Sequence, residues 1–268
     1  PWQKNTVPVP YQSALFLLLL APEFYAPLRQ LGADYHVKAQ AEGAIAELSP
    51  LLAFQSAEKT KANPFILTAP PAIDADNIWV NHQQRTRLAP LSFAIASGER
   101  LAIVGQSGSG KSTLLQIFLG FCAYQGDIFI DNQNFNTINS TQFRHQIAYL
   151  SQQTMLLPMS IADNLRLPNP TASDDKLWQI LAQVGLKPLI KPLPNQLDTQ
   201  LGERGSGLSG GQQRRLAIAQ LLLQDAHLWL LDEPTEHLDS ETAAEINALL
   251  QQVTRGKTVL WVTHDATS

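Results

Sequence analysis

The sequence predicts an α/β protein with a largely parallel sheet, preceded by a mostly helical N-terminal segment. Three observations lead to this fold class. After about residue 72, short apolar and β-branched runs alternate with helical patterns, an order typical of parallel sheets. One of these runs leads into a glycine-rich loop that opens a helix. The composition also changes near residue 72, because the first 72 residues contain nine of the 17 prolines but only two of the 15 glycines.

The N-terminal residues 1–50 are interpreted as the end of a transmembrane domain with its last membrane helices. Residues 5–22 are uncharged and contain the run ALFLLLLA, and this stretch is about as long as a bilayer span. The alternative is a buried helix of a soluble domain, because the strictly apolar run has only eight residues. Residues 28–48 mix apolar, small and charged positions, which predicts one long and increasingly polar helix. A linker is expected over residues 51–72.

Five strands and two amphipathic helices are predicted in the domain that follows, residues 73–268. The strands are the apolar runs 101–104, 127–130, 147–150, 228–231 and 258–263. Apolar residues recur at i, i+3, i+4 and i+7 from Leu177 to Val184 and from Ile246 to Val253, which predicts two helices. The chain shows no signal peptide and stops just after its last strand, so we expect a fragment, with this domain truncated at its C-terminus.

The composition excludes several classes of function. With 44% hydrophobic residues among 268, the chain can form a sizeable core. Its formal net charge of -4 and the lack of a basic block argue against nucleic acid as a partner. The one cysteine, Cys122, cannot form an internal disulfide, and no Cys/His set has zinc-ligand spacing.

The glycine-rich loop, residues 105–112, has the pattern of a phosphate loop. The segment GQSGSGKS follows the strand LAIV and opens the helical run TLLQIFLG. Glycines allow backbone N–H groups to turn toward phosphate oxygens, and the helix N-terminus adds partial positive charge. Lys111 would neutralise phosphate charge and Ser112 would ligate Mg²⁺. The residues predicted to hold the nucleotide here are Gly105, Gln106, Ser107, Gly108, Ser109, Gly110, Lys111, Ser112 and Thr113.

Two further motifs follow this loop in the sequence. The run LWLLDE ends in two carboxylates, of which Asp232 suits a magnesium shell and Glu233 suits the activation of a water for attack on the γ-phosphate. A solvated pair of surface acids is the alternative. The segment LSGGQ precedes a helix and offers a second anion-binding N-terminus, although by itself it is also compatible with an ordinary loop-to-helix junction. Its candidate residues are Ser209, Gly210, Gly211 and Gln212.

The order and spacing of GQSGSGKS, LSGGQQRR, LWLLDEPT and VTHD resemble the ATP-binding-cassette family over residues 73–268. The resemblance implies a P-loop NTPase cassette with a mostly parallel core sheet and a helical subdomain, and it implies ATP and Mg²⁺ as cofactors. In this family two cassettes enclose two ATP molecules. Residues 209–212 would therefore serve the nucleotide of a second cassette.

The same resemblance assigns roles to single residues. Gln152 matches the glutamine that joins Mg²⁺ and the attacking water to the surface that contacts the transmembrane domain, with Gln153 as its competitor. His264 matches the histidine that contacts the γ-phosphate. For the adenine ring, His82 stands where the family usually has a tyrosine; Trp79, or no aromatic side chain at all, are the alternatives.

Three segments refine the comparison. Residues 236–239 (EHLD) match a loop that contacts the second cassette, although the family more often has Ser-Ala in its first two positions, which puts those contacts in doubt. Residues 200–205 (QLGERG) resemble a segment found in exporters. Residues 21–48 resemble the last membrane helix of bacterial exporters of cysteine and glutathione that support cytochrome bd assembly.

This last resemblance implies an ATP-hydrolysing subunit that pairs with a second half-transporter in a heterodimer. A small thiol would be the transported molecule, moved from cytoplasm to periplasm across the bacterial inner membrane, with the cassette on the cytoplasmic side of the bilayer. Two alternatives stay open, namely an exporter of lipid, peptide or drug, and a soluble cassette ATPase.

Overall fold

A computed structural model of the protein describes residues 10–52, 65–82 and 85–264. The chain divides into two units, Pro1–Ala57 and Glu58–Ser268. Of the linker predicted over 51–72, residues 53–64 lie outside the described part. The last residues of that stretch join the second unit, because the N–H of Leu67 donates to Oε1 of Gln146 at 2.6 Å and the Leu67 side chain is buried.

The described part of the first unit is one continuous helix, α1 (Tyr11–Leu52), where the sequence analysis treats residues 5–22 and 28–48 as separate stretches. Its apolar side chains are exposed, with Phe16 at 62% and Leu18 at 73%. The described part of the chain does not bury these side chains, and the interpretation of this segment as the end of a transmembrane domain stays a prediction. By length and composition, Tyr11–Ser49 is able to cross a membrane, with a mean hydropathy of 1.2.

The second unit contains two four-stranded sheets within its described residues. The strands are β1 (Ile73–His82), β2 (Arg85–Ile95), β3 (Arg100–Val104), β4 (Gln125–Ile130), β5 (Gln133–Asn134), β6 (Ile147–Leu150), β7 (Leu228–Asp232) and β8 (Thr258–Thr263). One sheet is parallel, with the strand order β3-β8-β7-β6, and the other is antiparallel, with the order β2-β1-β4-β5.

In chain order, the described helices of the second unit all lie between β3 and β8. They are α2 (Lys111–Phe118), α3 (Ser140–Arg144), α4 (Ile161–Arg166), α5 (Asp174–Gln183), α6 (Lys187–Ile190), α7 (Gly210–Gln224) and α8 (Ser240–Val253). Side-chain caps fix several of the starts, since Ser160, Ser173 and Asp239 each accept a backbone N–H from the first turn that follows.

The parallel sheet separates two groups of buried side chains, because successive residues of a strand point to opposite faces. Leu230 and Leu260 pack with α2 and the antiparallel sheet. Trp229 and Val259 pack with helices α4 to α8. Helix α2 is thus held against one face of the sheet, with the phosphate loop at its start.

The predicted strand 127–130 is present, but it belongs to the antiparallel sheet. Its alternation explains the difference, since Ile128 and Ile130 are buried while Phe129 is partly exposed. Strand β1 alternates in the same way, with Ile73 and Ala75 buried. This period of two is typical of antiparallel strands that cover a core with one face only, whereas β7 and β8 are buried along their whole length.

Strand register brings three chain segments to one edge of the parallel sheet. Val104 pairs with Thr263, and Asp232 pairs with Val262. Two backbone bonds continue the alignment beyond the strands, because the N–H of Gly105 donates to Thr263 at 3.2 Å and the N–H of Glu233 donates to Val262 at 3.0 Å. The carboxyl ends of β3, β7 and β8 therefore lie side by side, where ligands bind in open α/β sheets.

Candidate functional site

A cleft with a volume of about 1200 Å³ opens at this edge of the sheet. The phosphate loop and the start of α2 supply one part of its wall, and other segments supply the rest. The lining residues are Thr86, Arg87, Ser107, Gly108, Gly110, Lys111, Ser112, Thr113, Gln116, Gln152, Glu233, Glu236 and His264. The structure thus brings together sequence-predicted residues that are more than 150 positions apart in the chain.

The path of the phosphate loop requires glycine at Gly110. This residue has φ +97°, and a Cβ built on it would lie 2.4 Å from the carbonyl oxygen of Arg87. Gly108 also has a positive φ of +82°, but nothing lies within 4 Å of its Cβ position. Backbone conformations of this kind are strained for residues with a side chain, and Gly110 in addition has no room for one.

Lys111 is buried at 7% exposure and has three partners. Its Nζ donates to the carbonyl oxygens of Gly105 at 2.7 Å and Gln106 at 3.1 Å. It also lies 3.2 Å from Oε1 of Glu233. These contacts hold the ammonium group at the mouth of its own loop, where it can neutralise an entering phosphate.

Asp232 is the buried carboxylate of the site. The hydroxyl groups of Ser112 and Tyr149 each lie 3.4 Å from one of its oxygens, as donors to Oδ1 and Oδ2 respectively. Burial raises the pKa of Asp232, although both hydroxyl groups oppose the shift. Burial and the charge of Asp232 likewise raise the pKa of Tyr149 to about 12. Tyr149 therefore keeps its proton and remains a donor to this carboxylate.

Glu233 follows Asp232 with a φ of +43°, in the left-handed region. Its Oε2 lies 3.2 Å from Nδ1 of His264, and its Oε1 faces Lys111. Burial by itself would raise the pKa of Glu233, but the hydrogen bonds and charges of Lys111 and His264 outweigh it and lower the pKa. The group is thus a carboxylate held between two donors, able to accept a hydrogen bond from water.

Gln152 lines the cleft just after β6, and its Nε2 donates to Oε2 of Glu236. Gln153 is not among the described residues that line the cleft; its carbonyl oxygen accepts from the hydroxyl of Ser151 at 2.7 Å. Of the two glutamines considered from the sequence, Gln152 is the one whose side chain faces the site.

Arg214 supports the site but is not among the residues predicted from the sequence. This residue of α7 is exposed by only 3%. Its guanidinium donates to the carbonyl oxygens of Ser151 at 2.6 Å, Gln152 at 2.7 Å and Glu233 at 3.5 Å. Burial lowers its pKa, while the charges of Asp232 and Glu236 oppose the shift. One sequence feature could have indicated that Arg214 is buried: it stands four residues before the apolar Ile218, and this spacing places both side chains on one helix face.

The LSGGQ residues form the start of α7 and are not among the described residues of the cleft. Ser209 is the N-cap, and its hydroxyl accepts from the N–H of Gln212 at 3.4 Å. In return, Oε1 of Gln212 accepts from the N–H of Ser209 at 2.9 Å. This reciprocal capping box fixes the turn, while Ser209 and Gly210 remain exposed.

The adenine contact stays a prediction. Strand β1 ends at His82, whose side chain lies outside the described part of the chain. Trp79 pairs with Gln125 of β4 and is half-buried, and it is not among the described lining residues of the cleft.

The donor set of the site fits a magnesium ion bound together with phosphate. Within the described ranges, no group of three or more His, Cys, Asp or Glu residues could hold a metal. Ser112 and Gln152 line the cleft, and the carboxylate of Asp232 lies 3.4 Å from the hydroxyl of Ser112, so oxygen donors of three residues are available here. Mg²⁺ takes such oxygen ligands, and it commonly uses only one or two carboxylates beside phosphate oxygens and water.

Fold and phosphate loop together define a P-loop nucleotide-binding domain. Residues 88–236 match the family model described as "ABC transporter", and the chain belongs to this family. The chain therefore carries the ATP-binding domain of an ABC transporter.

Curated relatives match almost the whole chain. It is 35% identical over 260 residues to the transport ATP-binding protein AarD of Providencia stuartii, covering 96% of this chain and 44% of that protein. It is 36% identical over 253 residues to the glutathione/L-cysteine transport system ATP-binding/permease protein CydD of Escherichia coli (strain K12), covering 92% and 42%. The chain thus spans less than half the length of these relatives.

The chain is also 43% identical over 183 residues to the glutathione/L-cysteine transport system ATP-binding/permease protein CydC of Escherichia coli (strain K12). This match covers 68% of this chain and 32% of CydC. Among solved structures, a bacterial Atm1-family ABC exporter with ATP bound superposes with a TM-score of 0.78 at 30% identity, covering 94% of this chain and 45% of that one. The predicted cassette fold is therefore confirmed.

Proposed function

We propose that the protein is the ATP-hydrolysing subunit of a heterodimeric exporter that moves cysteine or glutathione from the cytoplasm to the periplasm. The observation that carries the proposal is the similarity to CydD, a glutathione/L-cysteine transport protein, over 92% of this chain. Support of cytochrome bd assembly, implied by the resemblance of residues 21–48, belongs to the same proposal.

In this proposal the phosphate loop holds the triphosphate of ATP. Lys111 exchanges its contacts with loop carbonyl oxygens and Glu233 for phosphate oxygens, and residues 105–113 supply backbone donors. Ser112, Gln152 and Asp232 would hold Mg²⁺, which supplies positive charge against the β- and γ-phosphates when bound. His82 is proposed to stack on the adenine ring.

Glu233 is proposed to orient and activate the attacking water. The lowered pKa keeps it ionised, and its contact with His264 aligns one carboxylate oxygen within the cleft. His264 would contact the γ-phosphate from the neighbouring strand. General-base assistance of this kind contributes about 100-fold to 10,000-fold in rate.

A second cassette completes the site in this proposal. Ser209, Gly210 and Gly211 are exposed or half-exposed at the start of α7 and lie outside the chain's own cleft. They would contact the nucleotide of a partner half-transporter, for which the CydC-like proteins are the model. Helix α1 would lie in the bacterial inner membrane, with the cassette on the cytoplasmic side.

The test is ATP-dependent uptake of labelled cysteine and glutathione by inside-out vesicles that contain the intact transporter with its partner. Glu233→Gln should lower ATP hydrolysis at this site by about 100-fold or more and abolish uptake. Glu241→Gln, the same change on an exposed residue of α8, is the matched control.

Two results would contradict parts of the proposal. Strong ATPase activity without thiol uptake would support the proposed ATP hydrolysis but contradict cysteine and glutathione as substrates. Labelled lipids, peptides and drugs would then be tested. Unchanged hydrolysis in Glu233→Gln, measured with the partner's site inactivated, would overturn the role of Glu233.

A further inference from the structure

We propose that Glu236 is a positioning residue for the magnesium site, because it holds the amide nitrogen of Gln152 and so turns the amide oxygen of Gln152 toward the cation. The inference rests on the proposed role of Gln152 as a magnesium ligand. Glu236 was noted in the sequence only as a departure from the Ser that the family more often has at this position.

The contact joins the loops that follow two neighbouring parallel strands, β6 and β7. Nε2 of Gln152 donates to Oε2 of Glu236, across 84 positions of sequence, and both residues line the cleft. The backbone of Glu236 is also held in position, because its N–H donates to the carbonyl oxygen of Glu233 at 3.1 Å. This bond closes a turn directly after the carboxylate pair at the end of β7.

The chemistry of the pair fixes which way the amide faces. A carboxylate has only acceptors, so it can bond only the NH₂ end of an amide. With Nε2 of Gln152 turned to Glu236, Oε1 points away from that carboxylate and is free to meet a cation. Serine at this position would have a shorter side chain that both donates and accepts, and it would not impose this orientation.

The backbone of Gln152 is held as well. Its carbonyl oxygen accepts from Nη2 of Arg214 at 2.7 Å, and that of Ser151 accepts from Nη1 at 2.6 Å. Main chain and side chain are therefore fixed by two different groups, Arg214 and Glu236. Groups that orient a metal ligand in this way typically contribute a factor of about ten to one hundred to metal affinity.

The experiment measures binding rather than turnover. A fluorescent trinitrophenyl-ATP is bound to the purified 268-residue chain in detergent, first without divalent cations and then with increasing MgCl₂. Three variants are compared with the wild type, namely Glu236→Ala, Glu236→Gln and the matched control Glu241→Ala, which removes an exposed carboxylate outside the cleft.

We expect Glu236→Ala to raise the half-saturating Mg²⁺ concentration about tenfold without weakening the binding of magnesium-free nucleotide. Glu236→Gln keeps an oxygen acceptor for Nε2 of Gln152 and should stay within about threefold of the wild type. Glu241→Ala should match the wild type. If Glu236 only stabilised the fold, Glu236→Ala would also weaken the binding of magnesium-free nucleotide, and Glu236→Gln would not selectively restore the response to Mg²⁺.

Three outcomes overturn the inference. A wild-type magnesium response in Glu236→Ala would show that Glu236 does not position the ligand. Equal losses in the alanine and glutamine variants would assign the effect to charge rather than to the hydrogen bond. A wild-type chain that binds the nucleotide without any response to Mg²⁺ would overturn the proposed magnesium site itself, which separates that failure from the failure of this inference.

Discussion

Gly110 shows how a single residue sets the shape of the phosphate loop. Its φ of +97° is unfavourable for any residue with a side chain, and the backbone of β2 lies where a Cβ would be. The two effects are separable, because Gly108 has a similar φ of +82° with open space around it. The pair therefore forms a natural comparison between backbone strain and steric overlap.

We predict that Gly108→Ala lowers the free energy of unfolding of the second unit by about 1 to 2 kcal/mol, the usual strain of a left-handed residue. Gly110→Ala should lower it by about 3 kcal/mol or more, because strain and overlap with Arg87 add. Urea unfolding followed by tryptophan fluorescence measures both values. Equal losses in the two variants would show that the backbone of β2 moves aside.

Helix α7 connects two functional parts of the cassette at the scale of the element. Its first residues carry the LSGGQ turn, and Arg214, within its second turn, bonds the loop of Gln152 and the carbonyl of Glu233. Arg215, the next residue, bonds elsewhere, to the carbonyl of Val184 at 3.0 Å and to Glu245 at 2.6 Å. The helix thus anchors different loops through two adjacent arginines.

Arg214→Gln should lower the free energy of unfolding by about 2 to 3 kcal/mol, since buried acceptors lose their partner, and it should speed amide hydrogen exchange in the segment around residues 151–157. Arg215→Gln is the matched control and should speed exchange around residues 184–186 instead. Identical exchange maps for the two variants would contradict a specific role of Arg214.

The elements also show what sequence patterns can and cannot predict. Strands β7 and β8 were predicted because their apolar runs are continuous, as expected for strands covered on both faces. The prediction of a largely parallel sheet did not specify the sheet of β4; its period of two is the feature that indicates an antiparallel strand. The contact between Gln152 and Glu236 could not be predicted, because nothing local to either residue indicates a partner 84 positions away.

The residues of the cleft were largely predictable because motifs report local geometry. The strand LAIV, the tight loop and the helix start follow one another within residues 101–112. Arg214 was not predictable in the same way, since a charged pair on a helix usually indicates a solvated face. Its burial depends on carbonyl oxygens from two distant loops.

At the scale of the whole molecule, the described residues of the two units differ in where their apolar side chains lie. Helix α1 exposes a long apolar surface, whereas the second unit has its own buried core. Contacts divide the chain at Ala57 and Glu58. The two units should therefore respond differently to detergent.

We predict that the full chain sediments with membranes and needs detergent for extraction, because α1 presents residues such as Phe16 and Leu18 to its surroundings. A chain that begins at Glu58 should remain in the supernatant and still bind the ATP analogue. Fractionation followed by immunoblotting measures this difference. A full chain that stays soluble without detergent would argue against a membrane role for α1.

The adjacent carboxyl ends of β3, β7 and β8 restrict where insertions and deletions can be tolerated as the sequence evolves. Gly105, Glu233 and His264 each stand immediately after a strand whose pairing is set residue by residue. The strand register therefore sets the distances between the phosphate loop, Glu233 and His264. Loops elsewhere can lengthen or shorten freely, but one inserted residue inside any of these strands would shift a reactive group by a full step.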